Sequence, residues 1–466
     1  MKRTSICDTA LLESAARRSV RYLTGIGERS VWPTPEALRG LAQFDTQLPE
    51  KPADPEAVLD LLDRAGSPAT VASAGGRYFG FVIGGSLPVT VAANWLAGAW
   101  DQNAVMAVTS PVAARLEDVA ARWLLEILGL PPQAGVGFVG SDTVAIFAAL
   151  ASARRALLLR EGWDPDVHGL FGAPPITVVV SEETHVSVHK ALGLLGLGRE
   201  RVVRVPTDSQ GRMRTGAMPS VLKLKVPTLV CIQAGNVNSG SFDDAAEICA
   251  IAHENGAWVH VDGAFGIWAA AAPEREYLTR GVAAADSWSF DAHKWLNVPY
   301  DSGVVAVREA RYLRESMSGD AAYLQRGNTR DPGFLTPGMS SRARGVEVWA
   351  ALAALGRSGV ADLIERTCRH AARFAEGLRA AGFEILNEVA INQVLVSFGD
   401  DITTRAVIAA IQTDGTCWCG GTVWHGRAAM RISVSGWATT EHDVERSLDA
   451  MIRIARDCSR QAAAAD

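Results

Sequence analysis

The sequence predicts an α/β fold in which a mainly parallel sheet carries helices on both faces. Between residues 110 and 310, helical runs alternate with short apolar runs that are typical of strands, and such alternation indicates parallel strands joined by helices. The chain of 466 residues is 48% hydrophobic and 21% charged. That composition suits a globular protein of two or three domains and excludes a disordered or fibrous one.

The predicted elements fall into three regions. Residues 1–75 should form amphipathic helices, joined by proline-rich turns such as WPTPE, that pack on another surface. Residues 76–340 should form the large α/β domain and residues 341–466 a small C-terminal α+β domain. Near their junction, residues 327–345 carry glycines and prolines without periodicity, which predicts a long mobile loop.

Short sequence runs mark the individual elements. In the large domain, helices are predicted in ARLEDVAARWLLEILG and TVAIFAALASARRALLL, and strands in ITVVV, RVVRV, TLVCIQ, AWVHVD, SWSF and GVVAV. In the small domain, VEVWAALAAL begins a helical region that extends to about Gly382, and FEIL, QVLVSF and AMRISVS are the predicted strands.

Composition also excludes several classes of function. A net charge of -6 with scattered arginines offers no basic patch for nucleic acid. The seven cysteines are odd in number, and the Cys417 and Cys419 pair lacks the second half of a zinc site, so we expect reduced thiols and no metal. The 23 uncharged residues from Tyr78 to Trp100 include Pro88 and glycines, which suit a buried irregular segment better than a membrane helix. With no secretion signal at the N-terminus, we expect a cytoplasmic protein that acts on a small molecule.

The unusual side chains lie where predicted strands end, which is where open α/β sheets bind ligands. ITVVV leads to His185, AWVHVD ends on Asp262, and SWSF leads to Lys294. The stretch GFVGSDTVAIF adds a glycine-bearing turn that begins a helix, whose amides and dipole suit a phosphate. Each residue alone has an ordinary structural explanation, such as a turn former for Asp262 or a satisfied polar group for His185.

Lys294 is notable because the chain has only six lysines among its 45 basic residues. Lysine forms Schiff bases with carbonyl groups, and we expect burial to lower its pKa toward neutrality; a surface lysine lying on apolar surface is the alternative. A lysine, a carboxylate, a flat ring partner and a helix N-terminus together meet the needs of pyridoxal 5'-phosphate. The carboxylate would keep the pyridine nitrogen protonated, so that the ring withdraws electrons from the substrate.

The motifs resemble those of the group II pyridoxal-phosphate decarboxylases, the family of aromatic amino acid, glutamate and histidine decarboxylases. The resemblance runs from RYFGFV at Arg77 to MRISVS at Met430 and includes LLEILGLP, GSDT, THVSVHKALGLLGLG, AGNVNSGSFDD, WVHVDGAFG and DAHKWLNVPYDSG. It implies the fold type I architecture of the aspartate aminotransferase type, with a mainly parallel seven-stranded sheet. It also implies a homodimer with active sites at the subunit interface, in which residues 1–75 would pack on the partner subunit. The activity that it implies is the decarboxylation of an L-amino acid to an amine and carbon dioxide.

The resemblance further implies roles for single residues. Lys294 would form the Schiff base, Asp262 would pair with the pyridine nitrogen, and His185 would stack on the ring, with Ala264 on the other face. The other cofactor-binding residues that it implies are Ser141, Asp142, Thr143, Asn236, Asp291 and His293.

The chain departs from the family pattern in three places. Asp142 stands where a small residue is usual, and an anion there would repel a phosphate unless its side chain points away. Gly263 and Phe265 replace alanine and tyrosine, a change that we expect to be mild. In the family a tyrosine on the mobile loop returns a proton to the substrate carbon, whereas residues 327–345 contain no tyrosine. Related enzymes with phenylalanine at that place give aldehydes by a route that consumes oxygen.

The missing tyrosine leaves the reaction outcome open. Tyr323 or a histidine could serve as the acid in a simple decarboxylation, or the same cofactor could support aldehyde formation, transamination or elimination. A cofactor-binding protein without turnover is a third hypothesis, against which the intact Lys294, Asp262 and His185 argue.

The aromatic residues near the expected entrance favour an aromatic substrate. The candidates for substrate contact are Phe79, Trp95, Tyr323, Phe334 and Arg431. Arg431 could equally bind an acidic group or the cofactor phosphate, or serve in domain packing.

Overall fold

The structure, a computed structural model, describes residues 8–222, 226–319 and 330–465. Its strands are β1 (Gly135–Val139), β2 (Thr177–Ser181), β3 (Val202–Val205), β4 (Thr228–Gln233), β5 (Trp258–Asp262), β6 (Ser287–Asp291), β7 (Gly303–Val307), β8 (Glu384–Ile385), β9 (Gln393–Ser397), β10 (Gly420–Trp424) and β11 (Arg427–Ser433). Its helices are α1 (Thr9–Gly25), α2 (Pro35–Gly40), α3 (Pro55–Leu61), α4 (Ser67–Ala69), α5 (Pro88–Trp100), α6 (Pro111–Ile127), α7 (Asp142–Arg160), α8 (Pro165–His168), α9 (Val186–Leu194), α10 (Met218–Val221), α11 (Ala245–Glu254), α12 (Ala310–Met317), α13 (Gly345–Ala380), α14 (Asp401–Asp414) and α15 (Glu441–Ala465).

The large sheet has seven strands in the order β1-β7-β6-β5-β4-β2-β3. Neighbours from β6 to β3 are parallel, whereas β7 runs antiparallel to both β6 and β1. The central strands are apolar along their length because helices cover both faces, as the buried run from Val178 to Val180 shows. The predicted mainly parallel sheet is confirmed, and the structure adds β1 to the six strands predicted from single runs.

The small sheet is antiparallel, with the order β10-β11-β9-β8. Its core contains Phe374, Val396, Ile432 and Met451, from α13, two strands and α15. Helix α13 contacts both α6 of the large sheet's layer and β9 of the small sheet, and it therefore links the two. The boundaries at residues 75 and 340 stay a prediction.

The uncharged segment after Arg77 is partly irregular, as its proline and glycines indicated. Tyr78 is buried, and only Pro88–Trp100 is helical. A Cβ atom on Gly84 would fall 1.8 Å from the carbonyl oxygen of Lys294, so the segment packs directly against the lysine's backbone. Among the residues that the structure describes, no helix combines the length and the apolar character needed to cross a membrane.

Candidate active site

The candidate site lies at the carboxyl edge of the large sheet, where parallel strands deliver their following residues to one place. Asp262 is the last residue of β5 and Asp291 the last residue of β6. Lys294 follows β6 by three residues, and the N-termini of α7 and α9 face the same edge. The sequence-predicted lysine, carboxylates and histidines therefore meet.

Lys294 is held by an ion pair, with its Nζ atom 3.0 Å from Oδ2 of Asp291. Burial acts to lower the pKa of Lys294, but the carboxyl groups of Asp291, Asp142 and Asp262 outweigh it, so the pKa lies above its ordinary value. The expectation of a pKa lowered toward neutrality is therefore wrong for this state of the site. The reason is that three acidic side chains from separate elements converge on one ammonium group.

Asp291 organises the residues around Lys294. Its Oδ1 accepts a hydrogen bond from the backbone N–H of Asp142 at 2.7 Å, and its Oδ2 lies 3.6 Å from Nε2 of His293. Nδ1 of His293 accepts from the N–H of Ser302 at 3.2 Å, which leaves the proton on Nε2. Burial lowers the pKa of His293, so the ring is neutral.

His185 is a neutral, flat group at the start of α9. Its Nδ1 accepts from the backbone N–H of Ser187 at 3.3 Å and lies 2.7 Å from the hydroxyl of Ser187. Burial lowers the pKa of His185, and the charges of Lys294 and Arg431 lower it further, although Asp262 opposes them. A neutral imidazole held in place on one side can stack on an aromatic ring without adding charge.

Asp262 is fixed by its own turn. Its side chain is buried, and Oδ1 accepts from the backbone N–H of Ala264 at 3.1 Å. Ala264 also accepts at its carbonyl from the N–H of Asp291 at 2.9 Å, which ties the ends of β5 and β6 together. The carboxylate and the small methyl group are thereby held at the same edge of the sheet.

The N-terminus of α7 is the place where a phosphate group would bind. Ser141 is the N-cap but makes no side-chain cap hydrogen bond, and Thr143 lies half-buried in the first turn. Asp142 is 5% exposed, and its Oδ1 is buried without a hydrogen-bond partner among the described residues. Burial raises the pKa of Asp142 well above its usual range, and the carboxylates of Asp262 and Asp291 raise it further.

These residues fit a pyridoxal-phosphate site. Buried polar atoms normally have partners, yet several here do not; within the described part of the chain these include Asp142 Oδ1, Thr184 Oγ1 and Ser302 Oγ. A lysine, a carboxylate beside it, a neutral imidazole and an uncapped helix N-terminus are the groups that the cofactor needs. The fit requires that Asp142 keep its proton, because its charge would otherwise face the phosphate.

An aromatic wall beside this cleft joins the segment that packs against Lys294 to Trp418, which lies between α14 and β10. The indole of Trp418 stacks on Tyr78 at 5.1 Å and on Phe81 at 5.5 Å between ring centroids. Phe81 is 62% exposed and adopts a φ of 52°, which is rare for residues other than glycine and occurs at binding sites. Arg431 lies on the same side, where its Nη1 donates to the carbonyl of Val237 at 3.1 Å.

The structure does not bring every predicted substrate residue to the cleft. Phe79 is fully buried and packs edge-on against Phe374 at 5.0 Å in the small-domain core, so its prediction is wrong. Trp95 lines a groove with Tyr22 and other residues of the N-terminal helices. Phe334 is only 7% exposed. Tyr323 lies outside the described residues.

Asn236 remains a prediction as a cofactor ligand. Its Oδ1 accepts from the N–H groups of Asn238 at 2.8 Å and Ser239 at 3.1 Å, so it closes its own turn. Its Nδ2 is buried without a partner among the described residues. The contacts described for it do not join it to Lys294.

Sequence reasoning missed Tyr300, Phe81 and Trp418. The ring of Tyr300 lies 4.2 Å from that of His293, and its pKa is raised to about 12, chiefly by burial and by Asp291, with Lys294 opposing them. Tyr300 stands only six residues after Lys294 in DAHKWLNVPYDSG, so proximity in the motif could have indicated it. Nothing in the sequence distinguishes Phe81 from Phe79, because the segment between them is irregular.

The chain is similar to known proteins over most of its length. The model of the pyridoxal-dependent decarboxylase conserved domain matches residues 35–399. This chain belongs to that family. It is an amino acid decarboxylase, and its cofactor is pyridoxal phosphate.

Individual relatives of this decarboxylase are distant but match over most of their length. The aromatic-L-amino-acid decarboxylase of Bacillus atrophaeus is 28% identical over 72% of this chain and 68% of the relative. The 4-hydroxyphenylacetaldehyde synthase of Rhodiola rosea is also 28% identical, over 76% of this chain and 74% of the relative. The structure of Oryza sativa TDC with PLP and tryptamine superposes with a TM-score of 0.89 at 22% identity, covering 97% of this decarboxylase and 99% of that chain, which shows the shared fold.

Proposed function

We propose that this enzyme decarboxylates an aromatic L-amino acid to the corresponding amine and carbon dioxide. The observation that carries the proposal is the position of Lys294, which is ion-paired at the sheet edge and packs against the segment of Tyr78 and Phe81. These two rings form an aromatic wall with Trp418. Aromatic walls of this kind recognise planar apolar side chains. Aromatic substrates are also named for the relatives from Bacillus atrophaeus and rice.

Each residue of the site would have a defined task. Bound pyridoxal phosphate supplies an electron sink, since its protonated ring accepts the electron pair left when the substrate carboxylate departs. Asp262 would keep the proton on the ring nitrogen, and Lys294 would hold the cofactor aldehyde. His185 would cover one ring face as a neutral imidazole, while the small Ala264 leaves room on the other.

Orientation would decide which bond of the substrate breaks. The side chain of the substrate would rest on the aromatic wall, and Arg431, next to Tyr78, would lie within the polar part of the cleft. Fixing the substrate in this way would select the bond to its carboxylate for cleavage, and bound pyridoxal phosphate would take up the electron pair. Asp262 is buried at the floor of the cleft, which would limit its contact with water.

The substrate α-carbon must then receive a proton, and we assign this task to Tyr300. Its ring lies 4.2 Å from that of His293, and the residue is 56% exposed on the single chain. Its hydroxyl keeps its proton in neutral solution because its pKa is about 12. Phe334 has no proton to give, so Tyr300 is the donor that the described residues favour.

Aldehyde formation is the second candidate function. It is favoured by the absence of tyrosine from residues 327–345, and the relative from Rhodiola rosea is named for an aldehyde product. Amine and aldehyde formation share the loss of carbon dioxide and differ in what next reaches the α-carbon, a proton or oxygen.

The deciding experiment is mass spectrometry of the products that the cofactor-loaded enzyme forms from a panel of L-amino acids in heavy water, with oxygen monitored. We expect an aromatic amine that carries one deuterium at the α-carbon, without oxygen uptake. An aldehyde formed with oxygen uptake would replace the first function by the second. Conversion of glutamate or histidine in preference to every aromatic amino acid would refute the substrate class.

We also propose that two copies of the chain pair and that the enzyme acts in the cytoplasm. Helix α5 supports pairing, because four of its large apolar residues are exposed on the single chain, namely Val89, Trp95, Leu96 and Trp100. Such a contiguous apolar surface is typical of a protein interface.

A further inference from the structure

Asp142 lies in the cofactor site, but the proposed mechanism gives it no task. It is the first residue of α7, at the helix N-terminus that would receive the phosphate, yet it is itself an acid. Its side chain is 5% exposed, and its Oδ1 is a buried oxygen without a hydrogen-bond partner among the described residues. An unpartnered buried carboxyl oxygen at this point indicates a group that waits for a ligand.

The surroundings of Asp142 are rich in negative charge. The carboxyl groups of Asp262 from β5 and Asp291 from β6 face it, and the ammonium of Lys294 is the cation that acts on it. Asp291 already forms an ion pair with that ammonium at 3.0 Å, and it also accepts a hydrogen bond from the backbone N–H of Asp142 at 2.7 Å. A third buried charge in this cluster would therefore be poorly compensated.

The groups beneath Asp142 are neutral. The hydroxyl of Ser289 faces its carboxyl group, and Oγ of Ser289 lies 3.4 Å from Nε2 of His260. His260 is fully buried, and burial lowers its pKa to about 3, so it carries no charge. Its Nδ1 lies 3.0 Å from the hydroxyl of Ser287, which ends this polar chain inside the sheet.

Two further titratable neighbours of the site are neutral as well. Burial lowers the pKa of His185 and of His293, and each has one ring nitrogen occupied by a backbone N–H. Neither histidine supplies a charge that could stabilise an ionised Asp142. Burial and the two facing carboxylates accordingly hold the pKa of Asp142 well above its usual range.

We propose that Asp142 gates cofactor binding by its protonation: the neutral acid admits the phosphate at the N-terminus of α7, and the ionised acid repels it. The proposal rests on the proposed cofactor roles of Lys294 and Asp262. Because the phosphate is an anion, it prefers the neutral form of Asp142, and its affinity is highest while Asp142 is protonated. As the pH rises through the pKa of Asp142, affinity falls by up to about tenfold per pH unit, as expected for one linked proton.

The test compares cofactor binding by the apo forms of the wild type and of Asp142→Asn, which keeps the shape and removes the charge. The dissociation constant of pyridoxal phosphate is measured by absorbance at a series of pH values that rises from the ordinary titration range of a carboxyl group. We expect the wild type to lose affinity relative to Asp142→Asn as the pH rises. Unphosphorylated pyridoxal, which lacks the repelled group, should bind both proteins with the same pH dependence.

Three controls make the result decisive. Asp118→Asn removes an acid from the surface of α6 and should follow the wild-type curve. Asp142→Ala, which also lacks the charge, should match Asp142→Asn and serves if the latter does not fold. If the dissociation constant has the same pH dependence in the wild type and in either Asp142 variant, the proposal is wrong. If Lys294→Ala forms the same visible, borohydride-sensitive absorption as the wild type, the role of Lys294 in the proposed function fails, whatever the curves show.

Discussion

The hydroxyl of Tyr300 is the most informative single group in the site. In Tyr300→Phe the ring should remain against His293 while the proton is lost. A general acid contributes about 100-fold to about 10,000-fold to a rate, so we expect kcat for amine formation to fall by at least about 100-fold. KM should change little, and the aldehyde fraction of the product should rise. Steady-state kinetics together with product analysis measure both effects.

Tyr277 provides a matched control. It is 58% exposed and lines a groove whose lining residues do not include Lys294, so Tyr277→Phe removes a hydroxyl outside the described site. It should leave kcat and the product ratio unchanged. Full amine yield from Tyr300→Phe would mean that another group delivers the proton.

At the same residue scale, sequence reasoning identified which side chains meet but not their charge states. Lys294, Asp262 and His185 could be predicted because each follows a predicted strand, and strand ends share an edge. The raised pKa of Lys294 could not, because it depends on how close Asp142 and Asp291 come in three dimensions.

At the scale of elements, apolar runs in the sequence predicted most of the strands. The strands that were not predicted contain glycine. Strand β1 was missed because Gly135 and Gly137 weaken a strand pattern. The structure gives their reason: a Cβ on Gly135 would lie 2.9 Å from Ala310, and one on Gly137 would lie 2.3 Å from the carbonyl oxygen of Leu335. Close packing of α12 and of the chain after residue 330 requires glycine there. Strand β10 begins with two glycines and was missed likewise.

The segment that carries the aromatic wall depends on one glycine. A Cβ on Gly80 would lie 2.2 Å from the ring of Trp418, so Gly80→Ala must displace that indole. We expect a loss of about 1 to 3 kcal/mol in the free energy of unfolding, as for other overpacked sites. A rise in KM for the aromatic substrate should accompany it. Urea unfolding and steady-state kinetics measure the two effects.

Gly216→Ala is the matched control for this substitution. No atom lies within 4 Å of the Cβ position at Gly216, and its φ is outside the left-handed region. Its stability and KM should remain at wild-type values. If Gly80→Ala behaves in the same way, the wall is not packed around Trp418 as described.

At the scale of the whole molecule, pairing of two chains is testable through α5. Leu96 is 55% exposed on an apolar face, and Leu96→Asp would place a charge in a desolvated interface. We expect light scattering to report a monomer, and activity to fall because the entrance of the proposed dimer would lie near the partner chain. Ile402→Asp, at an 80% exposed position on α14, should remain dimeric. A dimer for Leu96→Asp would show that α5 is not the interface.

The sequence predicted the overall architecture as far as a large α/β region followed by a small α+β region. The seven-stranded count came from the family resemblance, because the glycine-containing β1 lacks a strand signal of its own. The docking of the two sheets through α13 was not predictable. It depends on side chains such as Phe79, whose burial against Phe374 no local pattern reveals.

The reversed strand β7 has a consequence for how the site assembles. Because β6 and β7 are antiparallel neighbours, the connection that contains Lys294 is a local hairpin, closed by the ladder from Ser287 to Val307. Contacts between residues close in sequence form at low loop-closure entropy, before long-range ones. During folding, the connection between β6 and β7 that contains Lys294 can therefore form early, and Asp262 and α7 can pack against it later. Refolding of the enzyme would then not depend on the presence of its cofactor.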